Sequence, residues 1–219
     1  KSFFNYLVFE GHKKVSPMEL IESPKIAYKL PNVLSIEEIN ILITSSETKK
    51  DHGIRNSAII ETLYGSGLRV SELINLKLSD IQYDEKLLLI QGKGNKQRLV
   101  PLGSICENKI KNYIHNFRLF KKINKNSSDI VFLNRNGGKL TRAMIFNIVK
   151  EAQKKSNIKK NISPHTFRHS FATHLLENGA DLRSIQIMMG HENITTTEVY
   201  THLDTKYLSK TLNKFHPRN

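Results

Sequence analysis

The sequence predicts a mainly α-helical chain with a small antiparallel β-sheet, an α+β fold. Three observations lead there. Apolar residues recur at three- and four-residue intervals, and the stretches that carry them open on capping residues, as in the box Ser35-x-x-Glu38. Strand signals are confined to short aliphatic runs, chiefly Leu87–Ile90 and Arg98–Pro101, joined by the tip Gln91-Gly92-Lys93-Gly94-Asn95-Lys96, whose two glycines permit a tight turn. The block from Ser163 to Tyr200 is divided by caps and glycines into a succession of short helices.

In chain order, residues 1–11 place Phe3, Phe4, Leu7 and Val8 at helical spacing, in a helix too short to be stable alone. With no initiator Met before them, residues 1–23 read as the stub of a longer N-terminal region. Segment 12–34 holds Pro17, Pro24 and Pro31 and has no clear period, so 24–34 reads as a linker. A helix runs from the Ser35 cap to about Ser46 and a second from Asp51 to Tyr64, with Ile54, Ala58, Ile59, Thr62 and Leu63 facing inward. Gly65-Ser66-Gly67 stops it and delivers Arg69 to the start of a short helix, Val70 to Leu76. Leu68, Val70, Leu73 and Leu76 surround Arg69, so its charge is expected to point inward at an anion, with Glu72 as a buttress. After the two strands come a helix from Ser104 to about Phe120, a basic loop over 121–128, a strand Ile130–Leu133 and a turn at Asn136-Gly137-Gly138. From Thr141, the residues Met144, Ile145, Ile148, Val149 and Ala152 define an amphipathic helix whose other face carries Arg142, Lys150, Lys154 and Lys155.

Ser163 caps the next helix, Pro164 suits its first turn and Gly179 its left-handed end. His165 and Arg168, three apart, project from one face. Asp181 caps a further helix that stops at Gly190, with His191 directly after it, and Thr195 caps another that carries Tyr200. Residues 35–203 form the main domain. Over 204–219, Asp204 is a candidate N-cap, Leu208, Leu212 and Phe215 make one apolar stripe, and Lys206, Lys210 and Lys214 lie largely away from it. A stripe this small must dock on something to hold a helix.

Composition narrows the partners. Lys and Arg outnumber Asp and Glu by 34 to 20, a formal net charge of +14, which favours an anionic partner such as nucleic acid. The single cysteine, Cys106, excludes an internal disulfide and fits a reducing, cytoplasmic compartment. No apolar run approaches the ~18 residues of a membrane span, so no membrane role is expected. The glycines around Lys93 do not form a nucleotide-binding loop, because the full Gly-x4-Gly-Lys-Ser/Thr pattern is absent. His165 and His169 stand four apart, as metal ligands do, but no glutamate lies between them in the zinc-hydrolase position, and no cysteine or carboxylate pair completes a shell.

Read together, His165-x-x-Arg168, His191, Tyr200 nine residues later, Gly67-Leu68-Arg69-Val70-Ser71-Glu72-Leu73 and Gly92-Lys93-Gly94-Asn95-Lys96 resemble the signature of the tyrosine site-specific recombinases, the phage integrase family, and most of all its bacterial Xer members. Five motifs in the right order, over residues 35–219, make the resemblance specific. It implies the tyrosine-recombinase catalytic-domain fold and a DNA recombination site as substrate. It implies cleavage through a covalent 3′-phosphotyrosyl intermediate, with neither cofactor nor metal. The catalytic residues it implies are Arg69, Lys93, His165, Arg168, His191 and Tyr200, with Tyr200 the nucleophile; Tyr207 lacks the family spacing. Lys96, Arg98, Arg142 and Lys150 are expected at the DNA. The N-terminal stub would belong to a helical DNA-clamping domain. The chain would act in a homo- or hetero-tetramer with a related recombinase, with a septal DNA translocase as activator, in chromosome-dimer resolution.

The chemistry suits these residue types. A phenol titrates near ~10 and needs its anion favoured or its proton removed. Two guanidiniums can each bind two oxygens of a phosphate and stay charged, and a histidine can accept the phenolic proton and return it. Three alternatives stay open on sequence: a mobile-element integrase, a type IB topoisomerase-like enzyme, and a DNA-binding protein without catalysis. The tail docks either on its own domain or, as the resemblance implies, in a neighbouring protomer.

Overall fold

The computed structural model describes residues 1–21, 32–47, 51–92, 97–190 and 202–218. Residues 1–30 and 31–219 form two separate units. The described part of the first, residues 1–21, opens on a helix, α1 (Ser2–Phe9), with no buried residue in it.

The second unit is built on α3 (Asp51–Gly65), which packs against α2 (Ile36–Ser46), α4 (Val70–Asn75), α5 (Ser104–Asn116) and α7 (Pro164–Glu177). Its burial is wider than the single face expected. Ala58, Ile59, Ile60, Leu63 and Tyr64 are all fully covered, and so are Glu61 and Thr62, as suits a helix enclosed on every side. α2 opens on the expected box: the Ser35 side chain accepts from the Glu38 N–H, and Glu38 accepts from the Ser35 N–H. Leu34, expected in the linker, is instead core; it is 0% exposed and its N–H donates to Ser170 Oγ at 2.9 Å.

The sheet is antiparallel in the order β1 (Ile81–Gln82), β2 (Leu87–Gln91), β3 (Gln97–Pro101). Ile90 pairs with Arg98 and Leu88 with Val100, so Arg98 and Val100 share the inward face of β3. β1, only two residues long, carries no strand signal in the sequence. The run Ile130–Leu133 does not form the expected strand. It makes isolated bridges, Ile130 to Lys77 and Leu133 to Lys139, while Val131, Phe132 and Leu133 are buried as core. α5 stops at Asn116, short of Phe120, and a 3-10 turn covers Arg118–Phe120.

α6 (Arg142–Ser156) is capped by Thr141, whose hydroxyl accepts from the Met144 N–H. α7 begins with Pro164 and is capped by Asn178, with Gly179, φ +96°, following the cap, and α8 (Leu182–Met189) runs from the Asp181 cap to Gly190, φ +63°. The tail helix α9 (His202–Phe215) starts two residues before the Asp204 cap expected for it. It packs against β3, α7 and α8 and places Leu208 and Leu212 in the main core. Beyond it, Arg218 pairs with Glu61 at 2.7 Å and His216 is buried against the rings of Tyr64 and Phe171. Among the described residues, no helix is long and apolar enough to cross a membrane.

Candidate active site

The site begins at the turn between α3 and α4. Gly67 has φ +56°, and a Cβ there would lie 2.5 Å from the Phe171 ring, so both conformation and space require glycine. The turn sets Arg69 as the N-terminal flank of α4 and Glu72 in that helix's first turn. Glu72 is 4% exposed and is the hub. Its Oε2 accepts from the Arg69 backbone N–H at 2.7 Å, and its Oε1 from Arg69 Nη1 at 2.9 Å. Arg98 donates to the same carboxylate with both Nη1 and Nη2, at 2.7 and 2.9 Å. Arg168 Nη1 stands 4.0 Å away and donates to the Gly67 carbonyl at 2.5 Å.

The same three arginines close the end of α8. Arg98 Nε donates to the Met188 carbonyl at 2.9 Å, Arg168 Nη2 to that of Met189, and Arg69 Nη2 to that of Gly190 at 3.0 Å. The last carbonyls of a helix lack partners within it and carry its negative dipole end, so cations are favoured there. α3–α4, β3, α7 and α8 are thereby locked around three guanidiniums and one carboxylate, a surplus of positive charge. Arg69 is the open member, with 38% of its side chain exposed; the side chains of Arg168 and Arg98 stay at 8% and 7%.

The electrostatics follow from this crowding. Burial pushes the Glu72 carboxyl upward, but Arg98 and the two donations from Arg69 more than offset it and hold the group below its ordinary range. Burial, reinforced by the neighbouring Arg69 charge, pushes the Arg168 guanidinium down to about 9, which leaves it charged at neutral pH. The surplus charge is thus available to an anion.

Of the residues expected to act, Arg69 and Arg168 both lie at Glu72. His165 is exposed on the first turn of α7, one turn from Arg168. Lys93, Lys96, His191, Tyr200 and the Thr195-capped helix lie outside the described residues. His174 serves the core, its Nδ1 hydrogen-bonded to the Tyr64 hydroxyl at 2.8 Å. Arg142 and Lys150 are exposed on α6, where Lys150 donates to Gln153 and Asn161. Arg98 requires correction. Expected at the DNA, it is 6% exposed, and its guanidinium is spent on Glu72 and Met188. A signal for this existed in the alternation of β3, which puts Arg98 on the face of Val100.

Two arginines on separate elements, converging on a buried glutamate with a histidine one turn away, form an oxyanion-binding arrangement. A model of the phage integrase family matches residues 32–206, which include all of them. The chain belongs to this family. It is a tyrosine site-specific recombinase, an enzyme that cleaves and rejoins DNA. Over 218 residues the chain is 44% identical to the tyrosine recombinase XerD of Listeria innocua and 42% to that of Staphylococcus haemolyticus, covering all of this chain and 73% and 74% of those proteins. Among solved structures, the XerA recombinase superposes with a TM-score of 0.68 at 30% identity, covering 98% of this chain and 74% of that one. The XerH recombinase bound to its difH substrate gives 0.65 at 28% identity, covering 83% of this chain and 51% of that one. The Tn1549 transposon integrase, at 22% identity and a TM-score of 0.73 over 98% of this chain and 71% of that one, shares the fold.

Proposed function

We propose that the chain is an Xer-type recombinase that acts in the cytoplasm on a chromosomal recombination site. The observation that carries this reading is the convergence of Arg69 and Arg168 on Glu72, with Arg69 still open, in a chain so similar to XerD proteins. In the cleavage step Tyr200 Oη attacks the scissile phosphorus, a phosphotyrosyl bond forms to the 3′ side, and the bond to the 5′ oxygen breaks. His165 accepts the phenolic proton, and Lys93 supplies a proton to the departing 5′ oxygen. Arg69 and Arg168 hold the non-bridging oxygens and His191 hydrogen-bonds to them. Such donors are prearranged for the charge that develops, and loss of one costs on the order of 2.7–4 kcal/mol. Attack by a 5′ hydroxyl of a second duplex reverses the step. The bond energy stays in the protein–DNA link, so religation needs no nucleotide.

Exchange between two duplexes calls for four active sites, supplied by copies of this chain or by this chain and a related recombinase. A septal DNA translocase would supply the activation signal. Lys96, Arg142 and Lys150 would meet the DNA backbone, and the cost of losing any one is spread over many such contacts. Incubation with duplexes carrying a nicked recombination site, and with closed supercoiled plasmid carrying the intact site, tests the reading. Covalent adduct together with strand exchange is the expected result. Relaxation of supercoils without exchange would make it topoisomerase-like, and retardation without adduct would make it a binder.

A further inference from the structure

Arg98 is a buried cation that the cleavage chemistry does not use. Its guanidinium meets two different elements at once, with Nη1 and Nη2 on the two oxygens of Glu72 and Nε on the Met188 carbonyl. The fit is tight: a Cβ at Gly190 would lie 2.8 Å from Arg98 Cδ. Glu72 in turn holds Arg69 through both its backbone N–H and its guanidinium, and Arg69 holds the Gly190 carbonyl. A closed circuit results, Arg98–Glu72–Arg69–Gly190–Met188–Arg98. Two of its links fix the carboxylate and two fix the end of α8, after which the chain continues directly to His191.

We propose that Arg98 is a positioning residue for DNA cleavage, clamping Glu72 and the C-terminal turn of α8 together so that Arg69 is aimed at the scissile phosphate. It touches no DNA. The inference rests on the recombinase reading, in which Arg69 holds a non-bridging oxygen. A guanidinium is required because three donors in a planar fork must serve a carboxylate edge and a carbonyl at once. An ammonium neutralises Glu72 but cannot span both.

The ordinary alternative is an ion pair that serves stability alone, and Arg98→Lys separates the two. The probe is a duplex obtained by covalent capture on the unaltered chain, cleaved under single-turnover conditions. Its scissile phosphate is either natural or a neutral methylphosphonate. Arg98→Lys is expected to stay folded under the assay conditions, with a lowered unfolding midpoint, and to keep its DNA affinity, yet cleave the natural phosphate ~10–100-fold more slowly, as a small misplacement of a charge-stabilising group does. On the methylphosphonate, which has no charge for Arg69 to hold, the deficit should shrink. An unaltered rate in folded Arg98→Lys, or the same deficit on both substrates, overturns the proposal. Arg98→Gln, whose amide can still hydrogen-bond Glu72, is measured in parallel and read by the same ratio should the lysine variant not fold. Failure of the unaltered chain to capture any duplex would count against the recombinase reading itself, and this inference would fall with it.

Discussion

Arg218 donates to Glu61 at 2.7 Å, and Glu61 lies fully buried toward the C-terminal end of α3. The end of the tail is therefore fastened to the centre of its own domain. Arg218→Ala should destabilise the fold by ~2–4 kcal/mol, somewhat below the ~3–5 kcal/mol for breaking a fully buried pair, because Arg218 keeps some solvent contact. Burial holds the Glu61 carboxyl above its ordinary range even with Arg218 beside it. A carboxyl so raised binds its proton more tightly folded than unfolded, so acidification relieves the burial of its charge. The deficit of the variant should accordingly shrink as pH falls toward the ordinary carboxylate range, and urea unfolding at several pH values checks it. A deficit independent of pH would contradict the assignment.

His216 gives the tail an opposite dependence. Burial, with the nearby charges of His174 and Arg218, pushes its imidazole down to about 4, and Nε2 has no hydrogen-bond partner among the described residues. An undocked His216 takes up a proton near ~6.5 that the docked one refuses. Docking is thus at full strength above that value and weakens as pH falls toward about 4, by at most about 3 kcal/mol. Proton NMR of the imidazole should show His216 titrating well below the exposed histidines; titration in the ordinary range would mean that it is not buried.

Gly67→Ala should cost ~2–4 kcal/mol, from left-handed strain and from the contact with Phe171. Because the Gly67 carbonyl is the acceptor for Arg168, cleavage should fall beyond what the lost stability explains. Denaturant unfolding and single-turnover cleavage measured together test this. An alanine variant with unchanged rate would show that Arg168 does not depend on the turn.

Much of this was legible in the chain because local rules governed it. The Ser35, Thr141, Ser163 and Asp181 caps and the Gly179 and Gly190 stops placed helices correctly, since each satisfies backbone groups within a few residues. Arg69 and Arg168 were legible through motif spacing. What failed depended on distant partners. Ile130–Leu133 has strand composition, yet its neighbours offer only isolated bridges. Arg98 reads as one more basic residue beside a lysine tip until Glu72, 26 positions earlier, is seen to meet it. Leu34 lies in a proline-marked segment, and its partner Ser170 is 136 positions away. The contacts of Arg218 and His216, just beyond α9, likewise rest on Glu61 and Tyr64, which no pattern within 202–218 names.

A recombinase that works as proposed must join Tyr200 to DNA. The most direct measurement is to trap the adduct on a nicked duplex, digest it, and identify the linked peptide by mass spectrometry, with Tyr200→Phe as the comparison. Linkage at Tyr200, lost in a Tyr200→Phe chain that still binds the duplex, is the predicted result. A chain that forms its adduct through Tyr207, whose exposed hydroxyl hydrogen-bonds Asp181 at 3.2 Å, or that keeps forming it after Tyr200→Phe, would contradict the account.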